Sequence, residues 1–474
     1  MRGYYRHTKI IATVGPATES EEKLGELITS GVDVLRLNMA HGSGDWAKTL
    51  IERVRKVSKT VGRQVAVMMD VKGPEIRTGV VETPIELAVG DQFEFFTDVP
   101  TPGMRGVSVN YPGLPTDVAV GATILVDSGL MRLQVHDLDA THVRCKVLTA
   151  GKLGSRRHVN LPGMMVNLPS LTEKDERDLR AGVEAGIDFV ALSFVRKSDD
   201  ILLLRDFLTS LGSKARIIAK IEDQSGVRNM HSIIKVTDAV MVARGDLGIE
   251  IDYHTLPLVQ TQMVDLCLKE GKPVIIATHL LESMISAPMP TRAEISDIST
   301  AVRERADAVM LSGETTTGLY PLECVDVMKN IVASIEPTEK RPFNETIELE
   351  DAACRDRAGA RAGRVWHRGL HAQRLPGLYV GRVARGRRAD LRLHRRRRDF
   401  PPPALAVGRR TVPAAFQRRS GRNRKECLGH PEAPGLGGGR HVAGRDHQRA
   451  GRGAHRRRAA AAPSQRRSAQ QPPR

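Results

Sequence analysis

The sequence predicts an α/β fold: a (β/α)8 TIM barrel interrupted by a small β-domain. Three observations across its 474 residues predict it. Eight short apolar runs recur between residues 9 and 312. Helix-like amphipathic stretches separate most of them; such alternation marks parallel βα units, and eight units close into a barrel. One block, residues 75–168, loses helical period and becomes rich in β-formers, Gly and Pro. An open doubly wound sheet is the alternative, but no GxGxxG follows a strand candidate.

The runs are KIIATV (9–14), VDVLRL (32–37), QVAVMM (64–69), DFVALSF (188–194), ARIIA (215–219), DAVMVA (238–243), KPVIIA (272–277) and DAVMLS (307–312). Apolar runs of this length between turn signals read as buried strands. The intervening SEEKLGELITSG, TEKDERDLRAGVEAG and TRAEISDISTAVRERA open on Ser or Thr as N-cap candidates, and the first two end at Gly. The barrel is expected from residues 1–74 and 169–340. Residues 75–168 follow MMDVKGPEIRTG and include GATILVDSGLMRLQVHDLDATHVRCKVL. They are expected to form an inserted small β-barrel, and about ninety residues suffice for a domain. It leaves and re-enters on the C-terminal side of the third strand, where it can act as a lid that excludes water.

Composition narrows the function classes. Cys145, Cys267, Cys324, Cys354 and Cys427 show no CxxC spacing. That argues against a zinc site or disulfide framework and suits a reducing cytoplasm. MRGYYRHTKI has no apolar stretch behind it, so no signal peptide is expected. No run reaches ~18 apolar residues, so no membrane span is expected.

The net charge of +17 conceals a split. Residues 355–474 hold roughly 32 Lys and Arg against about 6 Asp and Glu, leaving the rest of the chain mildly acidic. Lys425 is the only Lys in that tail, which is otherwise dominated by Arg, Ala, Gly, Pro and His. Such a mix is what a GC-rich gene yields when read out of frame. Residues 341–474 are therefore expected to be a degenerate C-terminal region; an intact reading frame around codons 350–360 on resequencing would reject this. Two other readings of the tail exist. Arg runs bind nucleic-acid phosphates through counterion release, although few aromatics and no RNP or finger motif offer specificity. The tail is otherwise a disordered, aggregation-prone product.

The chemistry sits where strands end. The second strand ends in Arg36 and Asn38, with His41 beyond; the third in Asp70, Lys72, Glu75 and Arg77. The fifth ends in Lys220 and Glu222, the sixth in Arg244 and Asp246, the seventh in Thr278, the eighth in Ser312 and Glu314. Unpaired charge at the end of a buried strand is costly, so these ends are expected to open into one polar site. Rich in Arg, Lys and carboxylates, the set suits a phosphorylated substrate with Mg²⁺. Glu222 and Asp246 come from successive strands, about 4.8 Å apart if neighbours, close enough to share one ion. GDLGIE begins a helix whose free amides attract a carboxylate or phosphate. Each residue alone has a blander reading: Lys220 with Glu222 as a structural ion pair, Thr278 and Ser312 as helix caps, Asn38 as a turn residue. The number of ends that agree favours the site.

TKIIATVGPAT, VDVLRLNMAHG, MMDVKGPEIRTG, LGSRRHVNLPG, SFVRKSDD, IIAKIE, MVARGDLGIE, IIATHLLESM, PTRAEISD and MLSGETTTGLYP resemble pyruvate kinase segments in that family's order. The resemblance spans roughly residues 8–340. It implies a glycolytic phosphotransferase that converts phosphoenolpyruvate and ADP to pyruvate and ATP. It also implies roles. Lys220 would neutralise the transferring phosphoryl group and Arg36 would bind the phosphate. Glu222 and Asp246 would hold Mg²⁺ (or Mn²⁺), and the Gly245 and Asp246 amides the substrate carboxylate. Thr278 would lie where enolpyruvate is protonated, with Ser312 and Glu314 in that relay. Asn38, His41, Arg77 and Arg157 would contact nucleotide. K⁺ would take Asn38, Asp70 and the Val71 carbonyl. Ala40 stands where the family supplies a Ser oxygen, so K⁺ activation with weakened affinity is expected. Arg157 replaces a common Lys, and Asp223 an Asn. The family's tetramer is expected to reduce to a homodimer through barrel helices near PTRAE, because the tail replaces the domain that builds the other interface. A cytoplasmic enzyme without membrane or specific nucleic-acid partners is implied.

Overall fold

The computed structural model describes residues 6–338, apart from residue 165. The expectation of a degenerate C-terminal region at 341–474 lies outside the described residues.

Eight parallel strands close into a barrel in which each strand pairs with its sequence neighbour and the first pairs with the last. They are Lys9–Val14, Val34–Asn38, Ala66–Asp70, Phe189–Leu192, Arg216–Ile221, Ala239–Ala243, Val274–Ala277 and Ala308–Leu311. All eight fall on the apolar runs. Alternate residues of each strand face opposite ways. One set, including Ile11, Val34, Met68, Phe189, Ile218, Met241 and Met310, fills the interior. The other set, including Ile10, Leu35, Val67, Val190, Ile217 and Val309, packs under the helices. Strands buried on both faces read as continuous apolar runs for this reason.

The helices start and stop as their sequences specify. Ser20 caps Glu21–Ser30 by accepting from the Lys23 amide, and Gly31 ends the helix at φ 116°, a backbone state glycine adopts without strain. Thr172 with Asp175 and Thr291 with Glu294 form capping boxes on Glu173–Ala185 and Arg292–Arg303.

At the N-terminal end of the barrel one arrangement occurs four times. Asp33, Asp188, Asp238 and Asp307 each precede an even-numbered strand. Their carboxylates accept from the amides of Ile10, Val67, Ile217 and Val274 on the preceding odd strand, at 2.7–3.0 Å. Their own amides donate to the carbonyls of those same residues. Each Asp thus clamps two neighbouring strands in register.

The inserted segment is β-rich as expected, with its own core around Phe93, Phe95, Ile124, Leu133 and Val143. Its ladder forms a six-stranded sheet and a separate two-stranded ribbon. Thr78 bridges to Val109 beside one edge of that sheet, and Arg77 to His158 beside the other. The expected β-barrel is therefore closed by single bridges rather than by a continuous ladder, because the edge strands Gly106–Ser108 and Val159–Asn160 are only three and two residues long. Among the described residues, no helix is long and apolar enough to cross a membrane.

Candidate active site

Strand periodicity builds the site. Two residues beyond the interior-facing Ile11, Val34, Met68, Ala191 and Ile218 stand Thr13, Arg36, Asp70, Ser193 and Lys220. The uppermost interior positions of five consecutive strand ends are therefore polar, and they bond to one another. Lys220 Nζ lies 3.0 Å from Asp70 Oδ1, 2.7 Å from Ser193 Oγ and 2.9 Å from Glu222 Oε1. Arg36 Nε donates to Asp70 Oδ2 at 2.7 Å, and its Nη1 to Thr13 Oγ1 at 3.0 Å. Lys220, Asp70 and Glu222 are all buried.

Electrostatics separates the two carboxylates. Burial alone would raise the Asp70 carboxyl, but Lys220 and Arg36 outweigh it and hold Asp70 below its ordinary range. Burial pushes Glu222 above its ordinary range; Lys220 opposes the push, and Asp246 and Asp70 add to it. Burial disfavours the Lys220 ammonium, yet Asp70 and Glu222 keep it charged well beyond neutral pH. Two carboxylates thus face one ammonium and one guanidinium, and Asp246 acts on Lys220 and Glu222 from the next strand end.

Glu222 Oε2 accepts from the Phe194 amide at 2.7 Å, and Phe194 sits at φ 53°. Asp246 lies on Arg244–Glu250, the short helix that starts where the sixth strand ends. That helix has no side-chain cap of its own. Thr278, at φ 68° beyond the seventh strand, supplies one: its Oγ1 accepts from the Gly245 amide at 2.7 Å. Thr278 Oγ1 also donates to the Ala277 carbonyl at 2.7 Å. Backbone held at positive φ by non-glycine residues concentrates at functional sites.

Several predicted residues are already occupied, and for Lys220 with Glu222 and for Asn38 the occupancy matches their blander readings as an ion pair and a turn residue. The Gly245 amide, expected to be free, is taken by Thr278. Lys220 and Glu222 pair directly. Arg244 is spent on the carbonyls of Ala277 and Thr278 and on Asp297. The Val71 carbonyl accepts from Ser193 at 2.8 Å, and Asn38 Oδ1 accepts from the Ala40 amide at 3.2 Å. Asn38 and Asp70 are register partners on adjacent strands, while His41 is exposed. Glu314 is buried, accepts from the Ser312 and Leu281 amides, and is pushed upward by that burial. The buried Ser312 hydroxyl has no protein partner among the described residues. On the inserted segment, Glu75 binds Arg77 at 2.6 Å and Lys72 at 3.1 Å, and Arg157 binds Asp127 at 3.2 Å.

Sequence reasoning missed Ser193, which orients Lys220, and Asp297, which anchors Arg244. Ser193 carried a signal: it is the polar residue next to last in the apolar run DFVALSF, one position past Leu192 as Lys220 is one past Ala219, the register partner of Leu192. Asp297 lies inside an amphipathic helix, and nothing local distinguishes it.

Among the described residues, no group of three or more His, Cys, Asp or Glu is placed to hold one metal ion. The donor set nevertheless fits a hard divalent cation. Glu222 and Asp246 follow hydrogen-bonded neighbouring strands, and Asp246 adds to the upward push on Glu222, a repulsion that a cation between them would relieve.

Comparison with known proteins gives a consistent result. The family model described as pyruvate kinase, barrel domain, matches residues 5–325. Pyruvate kinases of Staphylococcus aureus strains MRSA252 and USA300 are each 45% identical over 337 residues, covering 70% of this chain and 58% of theirs. The chain thus matches little more than half the length of these curated relatives. A crystal structure of a pyruvate kinase from Cryptosporidium parvum superposes with a TM-score of 0.71 at 37% identity, covering 75% of this chain and 77% of that one.

Proposed function

We propose, from the premise that this chain belongs to the pyruvate kinase family, that it transfers the phosphoryl group of phosphoenolpyruvate to ADP, giving pyruvate and ATP. The observation that carries this reading is the buried Lys220 ammonium held among Asp70, Ser193 and Glu222 at the top of the barrel. Phosphoryl transfer depends on positioning and charge stabilisation, and a fixed cation in a water-poor site supplies both.

Lys220 faces the transferring phosphoryl group, and Arg36, held by Asp70 and Thr13, binds its oxygens. Glu222 and Asp246 would hold Mg²⁺ or Mn²⁺. A divalent cation bound there supplies positive charge against the phosphoryl oxygens. The substrate carboxylate takes the Gly245 and Asp246 amides, displacing the Thr278 hydroxyl from Gly245. That hydroxyl is then free to pass a proton to the enolate carbon, with Ser312 and Glu314 behind it. Arg77, Arg157, Asn38 and His41 receive ADP.

Asn38, Asp70 and the Val71 carbonyl would hold K⁺. Asn38 and Asp70 are register partners on two strand ends, while Ala40 contributes only a methyl group, so K⁺ activates with weakened affinity. The chain works as a cytoplasmic homodimer through the helix Arg292–Arg303, where Ile295 is exposed, as is Met289 three residues before the helix. The inserted domain closes over the site as a lid.

The test is a coupled assay of the full chain with phosphoenolpyruvate, ADP and Mg²⁺. Pyruvate formed in step with ATP is expected; no pyruvate above a protein-free control rejects the reading.

A further inference from the structure

The inserted domain returns to the barrel through residues 157–163, and its contacts there converge on the two carboxylate-bearing segments. Asn160, in the strand Val159–Asn160, pairs with Leu125. Its Nδ2 donates to Glu250 Oε1 at 2.8 Å. Glu250 is the last residue of the helix that carries Gly245 and Asp246. Both partners are buried, at 4% and 7% exposure. The Glu250 carbonyl accepts from Gln224 Nε2 at 2.6 Å, two residues past Glu222. Beside this contact a Cβ on Gly129 would come within 3.3 Å of Ile249, and Gly129 sits at φ 82°. The His158 and Phe194 rings lie 6.1 Å apart, and the Phe194 amide holds Glu222.

A buried carboxylate in a seam between two domains is costly, and adhesion alone is served as well by apolar side chains. A directional polar pair adds a fixed orientation. Burial pushes the Glu250 carboxyl up to about 7; Asn160 opposes this, while Asp223 and Asp246 add to it. Glu250 therefore senses Asp246 electrostatically. The two stand one turn apart on a seven-residue helix, so a shift at Glu250 rotates or translates Asp246 with it. Among the described residues the buried Asn160 Oδ1 has no hydrogen-bond partner, which leaves the Nδ2 contact as the directional element.

We propose that Asn160 and Glu250 are positioning residues: their contact sets the helix Arg244–Glu250 against the seated inserted domain, so that Asp246 and the adjoining amides reach their working place only with that domain docked. This rests on the phosphotransferase reading above and adds to it the link between lid and cation site.

The experiment compares the full-length chain with Asn160→Ala, the near-isosteric Asn160→Asp, and Glu250→Gln, which keeps an acceptor oxygen. Mn²⁺ binding is measured by electron paramagnetic resonance without substrates, and steady-state kinetics by varying Mg²⁺ and phosphoenolpyruvate separately. Asn160→Ala and Asn160→Asp are expected to weaken Mn²⁺ binding about fivefold or more, to lower kcat about tenfold and to raise KM for phosphoenolpyruvate alongside, because the same helix carries Asp246 and the Gly245 and Asp246 amides. Glu250→Gln is expected to retain most of both. Unchanged Mn²⁺ affinity and kcat in folded Asn160→Asp would overturn the proposal, as would a rise in KM for phosphoenolpyruvate with Mn²⁺ binding unchanged. If the unsubstituted chain forms no pyruvate, the proposed function fails, and the Mn²⁺ measurement still decides the role of the pair.

Discussion

The two ends of the barrel use the same residue type for opposite purposes. At the N-terminal end, Asp33, Asp188, Asp238 and Asp307 are turned onto backbone amides of the preceding strands. Three of them also bind arginines: Arg6 and Arg63 at Asp33, Arg55 at Asp188, Arg205 and Arg216 at Asp238. At the C-terminal end, Asp70 and Glu222 gather around Lys220 and Arg36, and Asp246 acts on Lys220 and Glu222 from the next strand end. The difference is in what completes each group. The N-terminal carboxylates are completed by the fold itself. In the C-terminal set Asp246 and Asp70 add to the burial that raises Glu222, a repulsion that a bound cation would relieve. Substitution at one end should therefore change stability, and at the other, chemistry.

The largest expected effect breaks the C-terminal end. Lys220→Met removes the ammonium that Asp70, Ser193 and Glu222 orient. Loss of one preorganised charge-stabilising donor costs on the order of 10³-fold in rate. Turnover in the coupled assay should fall by at least that factor, while calorimetric titration still detects phosphoenolpyruvate. Retained turnover would mean that the wrong residue has been placed at the centre.

At the other end, Asp33→Ala strips the acceptor from the Ile10 amide and leaves Arg6 and Arg63 without their shared carboxylate. Removing one partner of a largely buried, charge-assisted set costs about 3 kcal/mol. Urea unfolding should show that loss, with kcat per folded molecule unchanged. A variant as stable as wild type but slower would erase the distinction between the ends.

Asp307 departs from its three counterparts. The charge acting on it is Lys9, and burial pushes its carboxyl up to about 7 from an ordinary 3.8. Because the folded group holds its proton to higher pH than the unfolded one, the native state carries the extra proton between those values. Stability then falls as pH rises through that window. Asp307→Asn keeps an acceptor for the Val274 amide and removes the titration. At pH 8 it should exceed wild type by on the order of 1 kcal/mol, and thermal unfolding should show the gap closing toward pH 5. A pH-independent gap would show that Asp307 does not titrate in the fold.

Much of this contrast was legible before the fold was known. The alternation of apolar runs and capped helices located all eight strands, and the charges at their ends located Lys220, Glu222, Arg36 and Asp70. The four clamps were visible only in part. VDVLRL, DFVALSF, DAVMVA and DAVMLS each carry the Asp, but a strand boundary explains an Asp as readily as a clamp does. Only the parallel register shows that each reaches the preceding strand. Likewise the Thr278–Gly245 and Asn160–Glu250 contacts join segments 33 and 90 residues apart. Local patterning says nothing about such pairs.

The smallest expected effect sharpens the C-terminal end. Asn38 and Asp70 stand in register, the Val71 carbonyl follows, and Ala40 is exposed beside them with no side-chain oxygen. In the structure these oxygens are engaged by the Ala40 amide, Arg36, Lys220 and Ser193. A monovalent cation must therefore share oxygens already in use. A Ser at position 40 adds one neutral oxygen ligand without disturbing the core, because the site is at the surface. A neutral hydrogen-bonding group contributes about 1 kcal/mol, so Ala40→Ser should lower the K⁺ concentration for half-maximal activity by about fivefold. Titrating KCl against a tetramethylammonium background reads this directly. If activity is full without monovalent cation, or the midpoint does not move, Asn38, Asp70 and Val71 do not form a cation site, and the proposed divalent cation and substrate would act at this end without a monovalent one.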